Sequence, residues 1–172
     1  MKRSVDAFAC FTAEKNVKLF EKFGVMSRSE LESRTEILYE NYAKTINIES
    51  RAMLEMARRD FIPAVEKYLA QLAVTAKDKL AVSADFNIGV EKTLISRLSD
   101  LNFAAYNLTE ELEVVTNDVK SMPRGEAQAK RYCYEVIPLM DELRDKVDRM
   151  EKITDAAIWP VPSYGQMTYY VD

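Results

Sequence analysis

The side chains able to do chemistry in this 172-residue chain are almost all carboxylates: 28 Asp and Glu, against 0 His and 2 Cys. Histidine is the side chain whose ordinary pKa suits proton transfer near neutrality, and it is the commonest metal ligand. Acid–base or metal chemistry here therefore falls to carboxylates alone. Two groups are dense enough to consider: Glu110, Glu111 and Glu113, and then Asp141, Glu142, Asp145 and Asp148. Around the second group cations stand at helical distance, Glu142 with Lys146, Asp145 with Arg149 and Asp148 with Lys152, which is the pattern of a solvated helix face. A di-iron bundle centre is excluded because its Glu-x-x-His pairs need histidine. No residue is assigned a catalytic, cofactor-binding or metal-binding role.

The most site-like segment is Glu40-Asn-Tyr-Ala-Lys44, where Tyr39, Asn41, Tyr42 and Lys44 offer specific hydrogen bonds. It serves either packing within the fold or contact with another protein part. Cys133 lies on an apolar stripe, where a thiol behaves as a small hydrophobe; Cys10 lies nearer the start, and both are expected to be free. Asn107-Leu-Thr109 spells a glycosylation acceptor but falls inside a helical pattern. Phosphate loops, dinucleotide fingerprints and Cys-x-x-Cys pairs are missing from the sequence.

The elements that would carry these groups are helices. A short one is predicted from about Ala13 to Phe23, with Thr12 as N-cap, Leu19, Phe20 and Phe23 as its apolar edge, and Gly24 just past its end. Ser27 and Glu30 form a capping box that opens a long helix. In it Leu31, Leu38, Tyr42, Ile46, Met53, Met56 and Ala57 recur at helical spacing. Pro63 removes a backbone donor and clashes with the preceding turn, so a kink is expected there before Val65, Tyr68, Leu69, Leu72, Ala76 and Leu80 resume the rhythm.

After a loop near Ser83 to Gly89, Leu94, Leu98, Leu101, Ala105, Leu108, Leu112, Val115 and Val119 form an unbroken heptad ladder. A turn at Pro123 to Gly125 leads to a second, Ala129, Cys133, Val136, Met140, Leu143, Val147 and Met150, with a bend expected at Pro138. Connections this short return the chain antiparallel. The fold class is thus all-α, an antiparallel bundle of three to four long helices. Residues 1–26 form a leading segment, 27–155 the bundle, and 156–172 a non-helical tail anchored by Trp159, Tyr164, Tyr169 and Tyr170. The ladders form the internal core, each buried Leu contributing about 1.5–3 kcal/mol.

Charge and hydropathy narrow the function classes. Lys and Arg number 24, for a net charge of -4, so the excess of cations that a phosphate backbone demands is absent and nucleic acid is excluded as a partner. No apolar run approaches a membrane span and the start lacks a secretory core, which reads as a cytoplasmic chain.

Several stretches together resemble a known family. Leu31-Glu-Ser-Arg-Thr-Glu-Ile-Leu-Tyr-Glu-Asn-Tyr-Ala-Lys-Thr-Ile-Asn-Ile-Glu49 is similar to a segment of type III glutamine synthetases. Arg3-Ser-Val-Asp-Ala7, Glu14-Lys-Asn-Val-Lys-Leu-Phe-Glu-Lys22, Ile62-Pro-Ala64 and Trp159-Pro-Val-Pro-Ser-Tyr-Gly165 resemble further landmarks of that family's C-terminal helical region, in the same order. The resemblance covers roughly residues 3 to 165. It departs after Gly165, where the family continues to an acidic residue and Leu-Leu-Phe and this chain has Gln166-Met-Thr-Tyr-Tyr170.

The resemblance implies a parent enzyme that ligates ammonia to glutamate with ATP and magnesium, in glutamine biosynthesis and nitrogen assimilation. The ligands for nucleotide, glutamate and metal would lie in a preceding catalytic part, so no position here inherits them and this chain has no cofactor of its own. Its expected partners are that catalytic part and neighbouring subunits of a ring-shaped oligomer. The alternative is a stand-alone helical interaction protein whose ladders recruit a separate partner.

Overall fold

A computed structural model describes residues 3–162 and 167–168. Among these there is no strand. Helices α1 (Ser4–Ala7) and α2 (Glu14–Lys22) precede α3 (Arg28–Met56) and α4 (Ile62–Val82); α5 (Gly89–Ser121), α6 (Glu126–Arg131) and α7 (Ile137–Glu151) follow. The architecture is an all-α helical bundle. The predicted capping box is present: the Ser27 backbone N–H donates to Glu30 Oε2 at 2.8 Å and the Glu30 N–H to Ser27 Oγ at 3.3 Å.

At the end of α2, Gly24 has φ +62°, with the Gly24 N–H on the Glu21 carbonyl and the Val25 N–H on the Phe20 carbonyl. This is a Schellman closure, which needs the left-handed residue that glycine supplies. The start of α2 differs from expectation. Ala13, not Thr12, is the cap, because the Thr12 hydroxyl turns back to the Ala9 carbonyl at 3.2 Å. The predicted apolar edge also fails: α2 buries Val17, while Leu19 and Phe23 are 52% and 68% exposed.

Both prolines inside helices are met by the same device. The helical path does not break at Pro63; Ala57–Phe61 widens into a π-turn, with the Ile62 N–H reaching back five residues to the Ala57 carbonyl. Tyr132–Val136 does the same before Pro138, with the Ile137 N–H on the Tyr132 carbonyl. A proline collides with the carbonyl four residues before it and has no N–H to offer it. Widening the preceding turn by one residue relieves that collision, and π-turns are found as such single-turn insertions.

The chain divides into two compact units, Met1–Ala52 with Leu112–Met140, and Met53–Glu111 with Asp141–Asp172. In the second, Lys79 pairs with Glu91, Asn102 donates to Glu66 at 2.7 Å, and Arg58 reaches Glu110 at 2.8 Å. These contacts descend α4 and its preceding turn as they climb α5, so the two run antiparallel across the connection at 83–88. Glu91 is buried, and the Lys79 ammonium beside it holds its carboxyl below the usual range. In the first unit the turn at 122–125 reverses α5 into α6, tied by Gln128 to the Val119 carbonyl and by Arg131 to Asp118 at 2.8 Å.

The buried stripes follow the predicted ladders with two shifts of register. Leu98, Leu101, Ala105, Leu112 and Val119 are buried, but Thr109 and Thr116 occupy the core where Leu108 and Val115 were expected. On α3 the inward positions are Leu31, Thr35, Tyr39, Ala43, Ile46, Ser50 and Leu54, whereas Leu38, Tyr42 and Met53 are only half-buried and Met56 is exposed. The later ladder is close to expectation: Ala129, Cys133, Val136, Leu143 and Met150 have no solvent exposure.

Candidate functional site

The Glu40–Lys44 segment does not converge on one site, because consecutive positions on a helix face different ways. Tyr39 is 4% exposed and Asn41 faces solvent. Tyr42 is half-buried, with Phe8 edge-on to it at 6.2 Å, and Lys44 bonds Glu40 at 3.2 Å. Phe8 also meets Tyr39 edge-on at 5.3 Å, so the first of these aromatics is a packing group. The Tyr39 hydroxyl is buried with no hydrogen-bond partner among the described residues. Removing such a hydroxyl relieves a desolvation cost of about 1–3 kcal/mol. Tyr39→Phe is therefore expected to leave stability unchanged or raised, measured as the urea midpoint; a clear loss would show that the hydroxyl has a bonded role.

Next to this segment the first unit holds an open cavity of about 210 Å³, lined by Glu40, Lys44, Asn47, Arg124, Gln128 and Tyr132 among others. Its polar groups are engaged with one another. Asn47 Oδ1 accepts from the Tyr132 hydroxyl at 3.2 Å and from Arg51 Nε at 3.3 Å, and the second arm of Arg51 donates to Asn117. Gln128, buried, turns its amide onto the Val119, Lys120 and Met122 carbonyls and so closes the C-terminal end of α5. Burial pushes the Tyr132 hydroxyl pKa up, so it stays a neutral donor. No nucleophile stands beside a base in this cavity; it is a structural joint between α3, α5 and α6.

The carboxylate clusters are likewise occupied. Glu110 pairs with Arg58, while Asp145 takes Lys146 at 3.1 Å and Arg149 at 3.5 Å. Asp148 lies 3.6 Å from Arg144 on the previous turn, so the cation at helical spacing is the one before it and not Lys152. Among the described residues no three His, Cys, Asp or Glu side chains approach closely enough to hold a metal ion. Neither cysteine is in a disulfide, and Thr109 of the glycosylation-like triplet is fully buried with its hydroxyl on the Tyr106 carbonyl.

What the structure does bring together are two of the landmark stretches, Arg3–Ala7 and the one that begins at Trp159, each against a π-turn. In the first unit Arg3 Nη1 donates to the Cys133 carbonyl at 2.8 Å and stands over the Tyr134 ring at 5.6 Å, while the Tyr134 hydroxyl donates to Asp6 at 2.6 Å. This follows from Pro138. The Ile137 N–H is spent on Tyr132 and the next residue has no N–H, so the helix cannot supply a donor to the Cys133 carbonyl. The Arg3 guanidinium supplies it. Nearby, burial first and the Cys133 thiol second push the Tyr42 hydroxyl pKa up, and the bond to Asp6 raises that of Tyr134.

In the second unit Trp159 stacks on Phe61 at 5.1 Å and 20°, which seats the start of the tail on the π-turn that precedes Pro63. Trp159 is 9% exposed, and its backbone N–H bonds back to the Asp155 carbonyl at 3.0 Å. Beyond it Met167 and Thr168 are helical, a departure from the non-helical tail, whereas Tyr164, Tyr169 and Tyr170 lie outside the described residues. Reasoning on the sequence missed Arg3, Asp6, Asn47 and Gln128 as organising residues. Only the pairing of each proline with a donor elsewhere in the chain could have indicated Arg3.

Residues 1–80 match the family model described as the glutamine synthetase C-terminal domain. The chain is 31% identical to a glutamine synthetase of Butyrivibrio fibrisolvens over 98% of its own length and 24% of the relative's. It is 28% identical to a type-3 glutamine synthetase of Dictyostelium discoideum over 95% of its length and 23% of that protein. It is also similar to a glutamine synthetase of Bacteroides fragilis, at 23% identity over 84% of the chain. The chain thus spans about a quarter of the length of the curated relatives it matches.

Proposed function

We propose that this chain, whose residues 1–80 match the glutamine synthetase C-terminal domain, is the non-catalytic helical domain of a type III enzyme, packed on a preceding catalytic part and supporting the assembly of subunits. The observation that carries this reading is the fate of the landmarks. Arg3, Asp6, Phe61 beside Ile62 and Pro63, and Trp159 all meet as joints of the helices, and none meets in a pocket with a nucleophile or base. The parent would ligate ammonia to glutamate with ATP and magnesium. Among the described residues no three metal-binding side chains converge, so this reading assigns magnesium, and ATP with it, to the catalytic part and routes no step of the reaction through this chain. No helix among the described residues is long and apolar enough to cross a membrane, and a cytoplasmic setting accords with the proposed reaction.

Deleting the region from the parent polypeptide and sizing the product tests the assembly role. A smaller or dissociated particle is expected. An unchanged, fully active oligomer would count against it.

A further inference from the structure

We infer that the apolar groove formed by the leading segment and the first turns of α3 is the surface on which the preceding catalytic part of the same polypeptide docks. The inference deepens the reading above and rests on it. Helix α2 turns Val17 inward and leaves Leu19 and Phe23 outward; Phe11, Val25 and Ile37 are also exposed, at 45%, 57% and 53%. Of these, Phe11 and Ile37 line an open groove of about 890 Å³, with Phe20, Met26, Leu31 and Leu38 completing its apolar wall. A contiguous exposed patch of this kind marks an interaction site more often than solvated surface.

The groove's lip carries both signs: Glu30, which caps Ser27, stands one helical turn before Arg34 and feels its charge, so the two offset each other. The fitting partner is an aliphatic helix face or extended segment of little net charge. The catalytic part is favoured over a second copy by connectivity. The relatives carry about three quarters of their length outside the region matched, and the match to a C-terminal domain already holds over the residues that build the groove. A partner on the same polypeptide acts at an effective concentration set by the linker and not by dilution, so a modest apolar contact suffices. A separate copy has no such advantage.

Hydroxyl-radical footprinting of the 172-residue chain alone and of the parent polypeptide tests this, reading oxidation at Phe11, Met26 and Ile37, with Val82 and Phe103 of the other unit as references. Protection of about tenfold at the three groove residues in the parent is expected, with the references little changed. Protection of the references and not the groove would overturn the assigned face while leaving packing on the catalytic part intact. Protection nowhere would sink that packing as well. Protection of the groove in the isolated chain that vanishes on dilution would assign it to a second copy and overturn the inference.

Discussion

Leu112→Ala is expected to lower the unfolding free energy by about 2–5 kcal/mol, the range for emptying a leucine-sized site in a core that relaxes only partly. Leu112 has no solvent exposure, lies mid-ladder on α5, and has buried Thr109, Thr116 and Val119 on the same face. The removed methyls leave a void that a close-packed interior of staggered rotamers fills only in part. Val114, two residues on, is 68% exposed, and Val114→Ala should change stability by about 0.5 kcal/mol or less. Urea unfolding of the pair is the check. Equal costs at the two positions would mean that the stripe is not the core.

Raising pH above 10 is expected to destabilise the fold steeply, because several tyrosines act together. Tyr39, Tyr42 and Tyr132 have hydroxyl pKa values raised chiefly by burial, and Tyr134 by its bond to Asp6. In each case the folded state favours the protonated phenol. Their contribution is therefore fully present below the unfolded value of 10 and is lost as pH rises through the higher folded values, where the unfolded chain gives up protons more readily. Lys130, raised by Glu126, works in the same sense. Urea midpoints at pH 8, 10 and 11, with tyrosinate absorbance followed in parallel, should show a plateau and then a fall. A midpoint that stays flat to pH 11 would show that these hydroxyls ionise without opening the structure.

The helices were legible in the sequence because Gly and Pro punctuate them and because leucines recur at sevens and fours. The face each helix buries was less legible. Thr109 can be buried because a helical threonine satisfies its hydroxyl on its own backbone, here the Tyr106 carbonyl, so hydropathy alone places the stripe one residue off; the Thr116 hydroxyl is buried with no hydrogen-bond partner among the described residues. Ser50 on α3 is the same case as Thr109, with its hydroxyl on the Asn47 carbonyl. Val17 was overshadowed by the larger Leu19 and Phe23, whose exposure has no reason within the chain itself.

The joints were legible as words but not as contacts. Pro63 and Pro138 announced an irregular turn, yet nothing local tells a π-turn from a break, since the outcome depends on what receives the carbonyl the proline strands. For Pro138 the donor is Arg3, 130 residues away from Cys133 in sequence. For the turn before Pro63 the stabilising contact is Trp159, nearly a hundred residues on. The two compact units are also discontinuous, so no composition change along the chain could mark them.

If Arg3 and Trp159 are joints of a helical domain and not parts of a reaction centre, their loss must cost stability and spare turnover. The most direct measurement makes Arg3→Ala and Trp159→Leu in the parent polypeptide and reads two quantities for each: the unfolding midpoint of the region, and kcat/KM for glutamate and ATP per folded enzyme. A lowered midpoint with kcat/KM unchanged is expected. Loss of kcat with the midpoint intact would contradict that role.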